Sequence, residues 1–155
     1  MKWFIILPFF FSLTSLSSAQ TFYECNKTDS ISFIIDELLQ YYQTGLEYKG
    51  GLKKVKSIFL ANYRKPKSSK KETGYLTIRF MVNCKCELGK FEFFEVSSSY
   101  HSYSFSKAIK DQLLDITKSL NDWKLGYYPH YGFVDSYKFF TFKIVEGEIV
   151  DIIPK

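Results

Sequence analysis

Apolar positions change period several times along the 155 residues. In "ISFIIDELLQYY", Ile31, Ile34, Ile35, Leu38, Leu39 and Tyr42 fall on one helical face. Asp29 or Ser30 can cap this helix, and Gly45 can end it. Leu52, Val55, Ile58 and Phe59 in "GGLKKVKSIFLANY" predict a second amphipathic helix with lysines outside. "RKPKSSKKETG" combines Pro66, serines and charge with no apolar residue, and so reads as a loop. The period then drops to two. In "YLTIRFMVN", Leu76, Ile78, Phe80 and Val82 share one face, and Tyr75, Thr77, Arg79 and Met81 share the other. "KFEFFEVSSS" is a second strand, and the seven residues between the two, "CKCELGK", read as a hairpin loop with a bulge. Phe105, Ile109, Leu113, Ile116 and Leu120 return to helical steps, with Ser104 or Ser106 as the cap. "YKFFTFKIV" is a third long strand. Glu146 and Gly147 make a turn, and "EIVDIIP" can form a short last strand.

This order predicts an α+β fold. A small antiparallel sheet, made of a β-hairpin, a crossover helix and a third strand, carries helices on one face and follows two N-terminal helices. The length suits one ordinary domain, and no internal repeat or low-complexity tract interrupts it.

The first residues read differently. Lys2 is the only charge before Glu24, "WFIILPFFFSLTSL" is apolar but short for a membrane span, and "SSA" ends at Ala19. This predicts a signal peptide cleaved after Ala19 and a periplasmic or secreted protein, in a compartment that permits disulfides. No stable membrane span is expected. "NKT" at Asn26 matches a glycosylation sequon. The net charge of +5 is mild, and "RKPKSSKK" (Arg64 to Lys71) supplies much of it. A solvated loop accounts for that cluster, so nucleic acid is not an expected partner.

Catalytic chemistry is poorly supplied. The two histidines, His101 and His130, stand in no recognisable motif, although either could be paired with Cys84 or Cys86. No glycine-rich phosphate loop is present, and no enzyme activity or cofactor is expected. The sharpest local signal is Cys84-Lys85-Cys86, two of the three cysteines in the chain. Structural zinc takes four ligands, so Cys25 and a histidine would have to complete a site. In an oxidising compartment one disulfide and one leftover thiol fit three cysteines better. Cys84 and Cys86 are badly spaced to bridge each other. Cys25 is therefore expected to pair with Cys84 or Cys86, with Cys84 the better placed and Cys86 left in the turn. Such a bridge closes about 60 residues, worth about 4 kcal/mol in the loop-entropy picture.

From Gly74 onward, "GYLTIRFMVNCKCELGKFEFFEV", "AIKDQLLDITKSLNDWKLG" and "DSYKFFTFKI" resemble the C-terminal domain of TonB-family energy transducers, in a divergent Bacteroidetes-like form. Gly74, Gly89, Trp123 and Gly126 stand where that family has a strand-starting glycine, a hairpin glycine and a Trp-x-Pro-Gly-like corner. Leu125 replaces the usual proline, and Cys86 stands where relatives have glycine. No proline-rich spacer accompanies the resemblance, so it implies a binding mode more than energy transduction. It divides the chain into a signal peptide (1–19), a helical segment with a basic loop (20–72) and a TonB C-terminal-like domain (73–155). The implied partner is a protein, such as a segment of an outer-membrane receptor or another envelope protein. It would be taken by strand addition along an edge formed by Tyr137, Lys138, Phe139, Phe140, Thr141, Phe142, Lys143 and Ile144. Lys138 and Lys143 also fit the plainer role of protecting an exposed edge. The alternatives are a structural secreted domain whose edge is covered by its own "EIVDIIPK", and a thiol or metal protein using Cys84 and Cys86.

Overall fold

The computed structural model describes residues 39–129 and 131–154. The signal peptide, Asn26, Cys25, His130 and most of the first predicted helix lie outside the described residues. Three α-helices are described, α1 (Tyr41–Thr44), α2 (Gly51–Asn62) and α3 (Lys107–Lys118), with a short 3₁₀ helix at Lys67–Ser69. The main strands are β2 (Gly74–Val82), β3 (Leu88–Ser97), β7 (Ser136–Val145) and β8 (Glu148–Ile153). Four two-residue strands complete the set: β1 (Glu47–Tyr48) pairs with β4 (Trp123–Lys124), and β5 (Tyr127–Tyr128) with β6 (Gly132–Phe133). The fold is α+β.

The central sheet has the order β3-β2-β7-β8, with every neighbouring pair antiparallel. Alternation along the strands sorts the residues as the sequence pattern predicts, except that Met81 is buried as well. Leu76, Ile78, Phe80 and Val82 of β2 and Phe140, Phe142 and Ile144 of β7 are all buried. They meet Val55 and Phe59 of α2 and Ile109 and Leu113 of α3 in one core. The Phe59 ring lies 4.7 Å from Phe142 and 5.9 Å from Phe140, in edge-to-face contacts that aromatic pairs favour. Trp123 and Phe80 extend the cluster, with ring centroids 5.7 Å apart.

Both helices cover this one face. On the other face Tyr75, Thr77 and Arg79 of β2 are half-buried and Met81 is buried, and the Tyr41 ring of α1 reaches Phe139 there at 5.8 Å.

Local chemistry sets the boundaries. Gly45 ends α1 in a left-handed conformation, φ 70°. The β7–β8 turn needs positive φ at both Glu146 and Gly147. A Cβ on Gly147 would also fall 2.0 Å from Ser69 Oγ, so glycine is required there twice over. Ser106 precedes α3 but makes no side-chain cap; its backbone N–H donates instead to Glu72 Oε2 at 2.7 Å.

Candidate functional site

The segment expected to be an open edge, Tyr137 to Ile144, is an interior strand. β2 runs along one side from Gly74 to Val82, and β8 occupies the other side from Thr141 to Val145. The Glu146-Gly147 turn folds the C-terminal segment straight back, and Ile152 buries its side chain in the core. At the other end, the Tyr137 N–H donates to the Leu39 carbonyl at 3.0 Å. An extended peptide has no place along Thr141–Ile144.

The new outer edge, β8, is guarded. The Ile152 N–H donates to Asp151 Oδ1 at 2.8 Å, and the same oxygen accepts Lys56 Nζ from α2 at 2.7 Å. A donor that would receive an incoming strand is thus already satisfied by a side chain. Lys65 pairs with Glu148 further along. The opposite edge, β3, is broken by a bulge between its pairings with Arg79 and Met81, where Lys90 has φ 50°.

Cys84 and Cys86 lie in the hairpin turn between β2 and β3. Asn83 organises it: its buried Oδ1 accepts the N–H groups of Lys85 (2.9 Å) and Glu87 (2.8 Å). Cys84 is disulfide-bonded, and Cys86 is a free thiol. Cys25, the expected partner, lies outside the described residues. Cys86 adopts φ 62° and packs partly against the core, its sulfur 4.0 Å from the Trp123 carbonyl. No group of three or more metal-ligating side chains occurs among the described residues. His101 contacts neither cysteine; its Nδ1 is hydrogen-bonded to Ser99 Oγ at 3.0 Å in an exposed turn.

Three of the four residues singled out for the TonB resemblance, Gly74, Trp123 and Gly126, have packing roles. Gly74 opens β2, where a Cβ would meet the Val96 carbonyl at 2.3 Å. Trp123 is buried between Phe80 and Tyr48. Gly126 has Ser136 and Thr44 against it, with 2.3 Å from a Cβ to Ser136 Oγ.

Two features stand out beyond those anticipated. The first is the sheet face opposite α2 and α3. Tyr100, 74 % exposed, stacks on Tyr75 at 5.6 Å, and Phe94, 54 % exposed, stands opposite Thr77. The Arg79 guanidinium lies 3.8 Å over the Tyr137 ring and pairs with Glu92 at 3.0 Å. Thr77 and Thr141 are joined by a 2.8 Å hydrogen bond. Tyr100 is held at φ 61° by a tight turn in which its N–H donates to the Ser97 carbonyl. A large non-glycine side chain at positive φ stores backbone strain.

The second feature lies on the helix side. A cavity of about 430 Å³ opens between α2, the Gly45–Tyr48 segment and β7, with Leu46, Leu52, Val55 and Phe140 among its walls. It sits where the β7 edge is uncovered, between Gln40 and Ile153. Lys138 enters it from the same face of β7 as Phe140, opposite Phe80 in register. Its Nζ lies 3.4 Å over the Tyr41 ring. Burial pushes its ammonium down to about 8, with Glu47 partly opposing. The alternation of Lys138 with Phe140, Phe142 and Ile144 is a signal that this lysine points inward.

No family model, curated protein or solved structure matches the chain. No described helix is long and apolar enough to cross a membrane.

Proposed function

We propose that this chain is an extracytoplasmic, non-enzymatic protein-binding domain that engages its partner through the face of the sheet opposite α2 and α3. The observation that carries this reading is the composition of that face. Exposed Phe94 and Tyr100 sit with Tyr75, Tyr137 and Arg79, the residue types that supply most binding energy at protein interfaces. The strained backbone of Tyr100 presents its ring to solvent on the same face. The disulfide at Cys84 supports an oxidising compartment.

Strand addition along Tyr137–Ile144, the mode suggested by the TonB resemblance, is replaced in this reading. β8 holds the place that the peptide would take. The resemblance still supports an envelope protein as partner, now docked on a face rather than an edge.

That same pairing of β8 with β7 favours a second reading, a structural domain that guards its own edges. The two separate on surface variants. Phe94→Asp combined with Tyr100→Ser should abolish co-purification of a discrete partner from the native compartment while the melting temperature holds. A partner that stays bound, or the failure of the unsubstituted protein to retain any partner, contradicts face binding.

A further inference from the structure

We propose that the cavity beside α2 binds a small apolar molecule bearing a carboxylate, which pairs with the Lys138 ammonium. This site lies on the helix side of the sheet and does not depend on which surface binds a protein.

The cavity volume, about 430 Å³, falls within the range of ligand pockets. Its lining is mixed: Leu46, Leu52, Val55 and Phe140 form an apolar floor against which a short hydrocarbon body could lie. Glu47 and Lys138 are the charged side chains among its lining residues, and Tyr41 and Tyr48 are the other titratable ones. Lys138 is unusual for a core-facing strand position. Its neighbours on that face of β7, Phe140, Phe142 and Ile144, are fully buried. The ammonium makes no salt bridge with any described residue, and its Nζ lies 3.4 Å over the Tyr41 ring. Glu47 is exposed and acts on it through space, without a direct ion pair.

A half-buried ammonium with no counter-ion among the described residues is costly. A domain selected for stability alone could place methionine or leucine at this position and fill the space. A bound carboxylate would complete the charge at the inner wall while its apolar part replaced water against Leu52 and Val55. The Tyr41 ring holds the lysine aimed at the cavity before anything binds. Complementarity of charge and of apolar surface thus selects an anionic amphiphile over a neutral or cationic one.

Octanoate, octanol and octylamine are suitable probes for the mature protein, titrated by calorimetry. Octanoate should bind, and octanol should bind roughly tenfold more weakly, the worth of one charge-assisted hydrogen bond. Octylamine should bind least. Lys138→Met keeps length and apolar character and should lose the preference for octanoate over octanol. Leu52→Trp should fill the cavity and abolish binding of all three. In the unsubstituted protein, octanoate should raise the titration midpoint of Lys138 followed by NMR of its methylated amine, a readout that needs no variant. Equal binding of octanoate and octanol, an unmoved Lys138 titration, or no octanoate binding overturns the proposal.

Discussion

Two residues sit in the left-handed region for opposite reasons, and each can be tested. Gly147 needs its positive φ and lies against Ser69, so Gly147→Ala should destabilise by about 1–3 kcal/mol, read from the denaturant midpoint. Cys86 occupies the same region without needing to be cysteine. Cys86→Gly relieves the backbone but gives up part of a core contact, so its net effect should stay within about 1 kcal/mol. Tyr63 is buried and donates to the Gly147 carbonyl at 2.8 Å; burial first, then Glu148 and Glu72, pushes its hydroxyl up to about 12. A raised pKa means that the folded state holds the proton longer than the unfolded chain. The Tyr63 contribution is therefore complete below pH 10 and is lost as pH rises toward 12. Tyr63→Phe should flatten that alkaline fall in stability, measured by denaturation at several pH values, and cost about 1 kcal/mol at neutral pH. An alkaline limb unchanged in the variant would assign the fall to other groups.

At the level of elements, the hydrophobic period sufficed for most of the architecture. The runs from Tyr75 to Asn83 and from Tyr137 to Val145 became β2 and β7, and the stripe from Ile109 to Ile116 became the buried side of α3. The Glu146-Gly147 turn and the short last strand were equally legible. Partnership between strands was not, because alternation says which face is buried but not which edge is free. The Tyr137–Ile144 edge was lost to a hairpin only six residues long on its second strand. β1 and β4 were invisible for a different reason: two-residue strands carry no period, and Glu47–Tyr48 pairs with Trp123–Lys124 across about half of the chain. The inward lysine was present in the alternation, but Lys138 was read there as edge protection. The β8 edge makes its own prediction. Asp151→Ala frees the Ile152 N–H and releases Lys56, so self-association by light scattering should increase. An unchanged molar mass distribution would mean that Asp151 does not guard the edge.

Across the described residues, α2 and α3 close one face of the sheet, while the other carries exposed Phe94 and Tyr100 with half-buried Tyr75, Tyr137 and Arg79. A disulfide at Cys84 anchors the hairpin turn beside Asp135, whose Oδ1 accepts the Cys84 N–H at 3.3 Å. Reduction should lower stability by about 2–4 kcal/mol without changing the sheet, as followed by denaturation and circular dichroism. The most direct measurement is a photocrosslinking scan in the native compartment. A crosslinker at position 94, 100 or 139 samples the open face, and one at position 115 samples the solvent side of α3. Binding through the face predicts one discrete protein adduct shared by the first three positions and absent at 115. Adducts of the same pattern at all four positions, or none at 94 and 100, would contradict it.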